Sequence, residues 1–145
     1  MMSAMIILDT NVISETFRPV PDRAVAGWLR EQPLNQVFVT SVNKAELLTG
    51  LALMSDGKRK QALADVIERF FEESLMTPVL GFEEDAAIQY ARIFSQRRKS
   101  GRPISEMDCE IAAIALTHGY AVATRNVVDF ENCGIGIINP WEAQS

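Results

Sequence analysis

The stretch Met5-Ile6-Ile7-Leu8-Asp9-Thr10-Asn11 restricts the fold more than any other part of the chain. Four consecutive apolar residues suit a strand covered on both faces, as parallel sheets require. The run stops at an acid, a hydroxyl and an amide, so Asp9 is expected where the strand leaves the sheet. Open α/β sheets bind ligands at the carboxyl ends of their strands. The chain therefore begins by placing a carboxylate at the edge where such sheets work.

The remainder alternates helix-period and strand-period segments. A short helical turn is expected at Asn11–Glu15, broken by Pro19 and Pro21, then a helix at Asp22–Glu31 with Val25, Trp28 and Leu29 on one face. The β-branched run Val37–Thr40 reads as a second strand, followed by a helix Val42–Leu53 capped by Ser41. Lys58–Ser74 reads as one long amphipathic helix, and Thr77–Leu80 as a third strand. Phe82–Lys99 forms the next helix, with Ala86, Tyr90, Ile93 and Phe94 inward. Ser105 opens the helix Glu106–His118. His118 stands just before Gly119, where a helix would end, and favours the helix dipole there rather than acting in catalysis. Tyr120–Thr124 and Ile135–Ile138 supply the fourth and fifth strands. This order predicts a mostly parallel five-stranded sheet with helices on both faces, in a single domain spanning residues 1–145.

Composition excludes several classes. With 145 residues, 48% of them apolar, the chain can bury a real core. A net charge of −5 leaves no general basic face for non-specific duplex binding. Cys109 and Cys133 lack metal-ligand spacing and are expected to be reduced thiols. Neither a signal peptide nor an apolar run of ~18 residues is evident, so a cytoplasmic protein without a membrane span is expected.

The acids carry the chemistry. Glu46 falls at the edge of a stripe formed by Val42, Ala45, Leu48, Ala52 and Leu53, at about 100° per residue. Leu47 and Leu51 lie on the far flank, so this helix is expected to be covered twice, by the core and by a second helix or partner. Glu46 itself reads equally as a cleft acid or a solvated flank. Asp108 lies at the centre of the apolar stripe Ile111, Ala112, Ala115, where an isolated charge is costly. A capping box, Ser105-x-x-Asp108, is the structural alternative. Asn126 and Asp129 follow the fourth strand, where turn chemistry competes with function. Asp9, Glu46, Asp108 and Asp129 all come from the same end of the inferred sheet. Such carboxylates repel unless a cation neutralises them. An oxygen-only set suits Mg²⁺ or Mn²⁺, which supports hydrolytic phosphodiester cleavage without a histidine, serine or cysteine nucleophile.

Ile6–Ser14 resembles the opening of PIN-domain proteins, and so do Ala45-Glu46-Leu47, Asp108–Ala115 and Ala123–Asn126 through Asp129-Phe130. The closing Asn139-Pro140-Trp141 resembles the VapC/FitB branch. The resemblance implies a PIN-like three-layer α/β/α fold and a ribonuclease toxin of a type II toxin–antitoxin system. Asp9, Glu46 and Asp108 match three family acids. A fourth family acid is usual after the fourth strand; here that place is Asn126, with Asp129 three residues on. Asn126 holding a metal-bound water and Asp129 acting directly or through water are both open. The resemblance further implies an RNA substrate, a homodimer with a shared acidic groove, and a small antitoxin that covers the active site and binds DNA through its own domain.

The expected metal ligands are Asp9, Asp108 and Glu46, with Glu46 also able to position the attacking water. Arg97-Arg98-Lys99 and Arg102 precede Asp108. They serve either as a cationic helix terminus or, through Arg98 and Arg102, as contacts to RNA phosphates. The alternative function is a non-catalytic PIN-like module that binds RNA or protein. A haloacid-dehalogenase-type phosphotransferase would require an acid at position 11, where this chain has Asn11.

Overall fold

The computed structural model describes residues 5–143. Its centre is a four-stranded parallel sheet in the order β2-β1-β3-β4, with β1 at Ile6–Leu8, β2 at Val37–Phe38, β3 at Ala121–Ala123 and β4 at Ile137–Ile138. Ile6 pairs with Val37 on one side of β1 and with Ala121 on the other. The chain runs from β1 outward to β2, then crosses back over β1 to β3 and continues to β4. The C-terminal crevice between β1 and β3 is thus the point where the winding reverses, the usual ligand position in open α/β sheets.

The expected third strand is the one element that fails. Thr77–Leu80 contributes a single parallel bridge, Thr40 to Leu80, beside β2. The Leu80 amide donates to the Val39 carbonyl at 3.0 Å, and the Ser41 amide to the Leu80 carbonyl at 2.8 Å. Pro78 has no amide to continue the ladder, and Thr77 binds the Val37 carbonyl through its hydroxyl instead, at 2.6 Å. The sheet therefore has four strands rather than five.

Alternating strand residues feed two cores, one per face. Ile7, Phe38 and Val122 pack with Ala86 and Ile93 of α5 (Glu84–Lys99) and with Ile111, Ala112 and Ile114 of α6 (Glu106–His118). Ile6, Leu8, Val37 and Ala123 face the other way, toward Val12 and Ile13 of α1 (Thr10–Thr16), Val25 of α2 (Arg23–Glu31), Leu47 of α3 (Ser41–Ala52) and Ile67 of α4 (Lys58–Arg69). This gives the expected α/β/α layering. Ile111 through Ala115 are all fully buried. The small alanines let α6 lie close to both sheet and α5. Gly119 ends α6 in the left-handed region at φ 74°, so His118 occupies the last turn as expected.

Local differences follow from capping. α4 stops at Arg69 and passes into a π turn at Phe70–Ser74, shorter than the single helix expected. α3 is capped by Thr40 rather than Ser41. The Thr40 hydroxyl accepts from the Asn43 amide, and the Asn43 side chain accepts from the Thr40 amide at 2.8 Å. α3 is covered on the flank of Leu47 and Leu51, which pack with Leu63 and Ile67 of α4, and Val42 of the expected stripe is buried in the other core, whereas Leu48 and Leu53 of that stripe are 43% and 82% exposed.

Candidate active site

Asp9 ends β1 and caps α1, so the same residue joins the sheet edge to a helix start. Its backbone is tied to the neighbouring strand by a bond from its amide to the Ala123 carbonyl, 2.8 Å. The carboxylate is 5% exposed. One oxygen accepts from the Thr10 amide at 2.8 Å. The other accepts from the Thr124 hydroxyl at 2.7 Å and the Asn11 amide group at 3.4 Å. Thr124 follows β3 as Asp9 follows β1, so the two meet across the crevice where the winding reverses. Thr124 Oγ1 also accepts from the Asn126 amide at 3.0 Å. The Asn11 side-chain oxygen accepts from the Arg125 amide at 3.3 Å. Thr10 and Asn11 therefore do more than start a helix: they link the β1 tip to α3 and to the loop after β3.

Glu46 reaches this point from α3. Its Oε1 accepts from the Thr10 hydroxyl at 2.7 Å, and Thr10 Oγ1 in turn accepts from Asn43 Nδ2 at 3.0 Å. Asn43 and Thr40 are fully buried; the Asn43 side-chain oxygen closes the helix cap on Thr40 while its Nδ2 reaches out to Thr10. The half-buried Glu46 is thus a cleft acid, placed by a cap one turn earlier. Asp108 enters from the first turn of α6. Only half of the expected capping box forms: the Ser105 hydroxyl accepts from the Asp108 amide at 3.2 Å, and no bond returns from the Ser105 amide to the Asp108 carboxylate. That leaves the carboxylate facing the acids.

Burial and mutual repulsion act together on these groups. Burial raises the Asp9 pKa, against the bonds from Thr124 and Thr10, and the charges of Glu46 and Asp129 raise it further. Glu46 is raised by burial, opposed by its bond from Thr10, and raised again by Asp108. Asp108 is raised by burial and then by Asp9. Asp129, exposed on the α7 turn (Val127–Phe130), adds its charge to both Asp9 and Asp108. Phe130, fully buried, anchors that turn. The Asn126 side chain makes no hydrogen bond among the described residues.

Among the described residues no three of the acids enclose a point tightly enough to cage a cation by themselves. The donor set nevertheless fits a hard divalent ion. It is all oxygen, its members raise one another's pKa, and Mg²⁺ is commonly held by one or two carboxylates with several waters retained.

The basic run divides. Arg98 is exposed, whereas Arg97 is 4% exposed and turned inward. Arg102 pairs with Glu131 at 3.2 Å. Sequence reasoning missed Asn43 and Thr124, and read Arg97 only as a member of the basic run. The Thr40-x-x-Asn43 spacing was an available sign of the first, and a hydroxyl directly after a strand of the second. Nothing local marked Arg97. A further feature is Arg125, whose guanidinium lies 5.0 Å over the Trp141 ring. It lines a shallow cavity of about 490 Å³ with Asn126, Asp129 and Asn139. A largely apolar pocket of about 410 Å³ lined by Phe17, Leu29, Phe70 and Leu75 contains none of the acids. Cys109 and Cys133 are buried free thiols, and burial pushes Cys109 up to about 12.

Residues 6–132 match the model of the PIN domain. The chain is 44% identical to a VapC ribonuclease, Y4jK, of Sinorhizobium fredii, over 95% of this chain and 99% of that protein. It is 39% identical to Toxin FitB of Neisseria gonorrhoeae, over 94% and 99% of the two chains. Among solved structures, a FitAB complex bound to a DNA fragment superposes with a TM-score of 0.89 at 37% identity, covering 97% of this chain and 99% of that one. The acids at the sheet edge, the layering and these likenesses agree: the chain belongs to the PIN-domain family, in its VapC/FitB branch.

Proposed function

We propose that this protein is a metal-dependent endoribonuclease and the toxin of a type II toxin–antitoxin pair. The observation that carries the reading is the meeting of Asp9, Glu46, Asp108 and Asp129 at the reversal point of the sheet, each raising the pKa of at least one other. Asp9 and Asp108 would hold Mg²⁺ or Mn²⁺, with Asp129 completing the shell directly or through water. When bound, the ion polarises a phosphoryl oxygen and lowers the pKa of water. The protein's own groups orient the rest. The Thr124 hydroxyl and Thr10 amide hold Asp9 in one rotamer. The Thr10 hydroxyl occupies one Glu46 oxygen and leaves the other free to align an attacking water with the scissile phosphodiester. Arg98 and Arg102 supply phosphate contacts beside the cleft, and their charge reversal weakens RNA binding more than folding.

Relatives described as ribonucleases and the likeness to FitAB support an RNA substrate and an antitoxin partner that covers the site. The exposed Leu48 and Leu53, on the same helix as Glu46, support a homodimer. The test is cleavage of a structured RNA with Mg²⁺, Mn²⁺ or EDTA. Cleavage is expected with either metal, none in EDTA, and none by Asp9→Asn with Asp108→Asn. Cleavage in EDTA, or by the double variant, defeats the proposal. RNA binding without cleavage selects the non-catalytic module instead.

A further inference from the structure

Arg97 is buried to 4% exposure and forms no ion pair with a carboxylate among the described residues. A buried guanidinium is costly unless its donors are used. Its donors go to main-chain carbonyls of two loops. Nε donates to the Arg102 carbonyl at 2.6 Å. Nη1 donates to the Asp129 carbonyl at 3.0 Å and the Glu131 carbonyl at 2.8 Å, and it lies 3.7 Å from the Cys133 sulfur. The Arg97 carbonyl itself accepts from the Arg102 amide at 2.9 Å and the Ser100 hydroxyl at 2.9 Å. One loop leads through Ser105 into the turn that carries Asp108. The other is the end of the α7 turn that carries Asp129. The two acids repel, as the effect of Asp129 on Asp108 records.

We infer that Arg97 is a positioning residue for the nuclease site: its guanidinium clips the Asp129 turn to the loop before Asp108 and so sets the spacing of these carboxylates. The inference rests on the nuclease reading above. Lysine at this position has one nitrogen on a flexible stem and cannot span three carbonyls.

The test compares wild type, Arg97→Lys and Arg97→Gln with Val25→Ala, a core truncation on the opposite sheet face that serves as a stability control. Cleavage of a single-stranded fluorophore–quencher RNA is measured at a temperature where each protein is folded, alongside calorimetric titration with MnCl₂. Loss of an outer partner typically costs about 10–100-fold in activity or metal affinity. Arg97→Lys is expected to lose about that much kcat and Mn²⁺ affinity while its KM for RNA moves less than about 2-fold, and Val25→Ala to keep both. In an Asp129→Asn background the Arg97→Lys loss should disappear, because both changes act on the same group. Unchanged kcat, a loss that adds fully to that of Asp129→Asn, or failure of both Arg97 variants to fold overturns the inference. A wild-type protein that is silent toward RNA in both metals ends the nuclease reading and this one together. An active wild type with an active Arg97→Lys ends this one alone.

Discussion

Two threonine hydroxyls each donate to a carboxylate of the site: Thr124 to Asp9 and Thr10 to Glu46, both at 2.7 Å. Each hydroxyl also accepts from an amide behind it, so its proton has one direction to go. Thr124→Val keeps the shape but leaves the Asn126 amide unpaired and one Asp9 oxygen with only the long bond from Asn11. It should cost about 1–3 kcal/mol in denaturant unfolding and about 10-fold or more in kcat, while Thr124→Ser should recover most of both. The acids predict the opposite sign for stability. The raised pKa values of Asp9, Glu46 and Asp108 mean that the folded state holds protons more tightly than the unfolded chain. Their stabilising contribution is therefore full below the ordinary carboxylate range and is lost as pH rises through the raised values. In EDTA at neutral pH the ionised cluster opposes folding. Asp108→Asn should then raise the melting temperature by about 2–4 °C while abolishing cleavage. The gain should shrink as pH is lowered through the acid range, and a fall in melting temperature at neutral pH would contradict it.

Elements were legible wherever local chemistry was self-sufficient. The buried runs at Ile6–Leu8 and Ala121–Ala123, the helix from Glu106 and its stop at Gly119 all lie where hydrophobic pattern and capping residues put them. Two failures turn on contacts that local pattern does not encode. Thr77–Leu80 has strand-like composition, but Pro78 and the Thr77 hydroxyl reduce it to one bridge. The rotation of α3 was unreadable because apolar residues occupy both flanks, so the wheel cannot choose between them. The Thr40–Asn43 cap and contact with α4 choose. Asn43→Ala should therefore do more than remove a cap. It should cost about 1–2 kcal/mol of stability, release Thr10 from its donor, and lower kcat. A variant as active as wild type would uncouple the cap from Glu46.

At the scale of the molecule, the proposed nuclease reading requires a chain of net charge −5 to hold RNA through the ion and a few local cations. Cleavage should therefore fall steeply with chelation and only shallowly with added monovalent salt. The exposed flank of α3 gives the second test. Leu48→Glu should convert the proposed homodimer to a monomer in sedimentation at micromolar concentration; a dimer unchanged by it would move the interface elsewhere, and a monomeric wild type would end the dimer proposal.

The sequence by itself determined the α/β class, the acid at the tip of the first strand and the further acids at strand and helix starts, because periodicity, caps and breakers are properties of neighbouring residues. Only the tertiary structure decided which acids meet, that the sheet has four strands, that Thr124 and Asn43 aim Asp9 and Glu46, and that Arg97 points inward while Arg98 points out. Those outcomes depend on groups brought together from as far apart as Asp9 and Thr124, and burial, repulsion and hydrogen-bond closure exist only once the chain has folded around them.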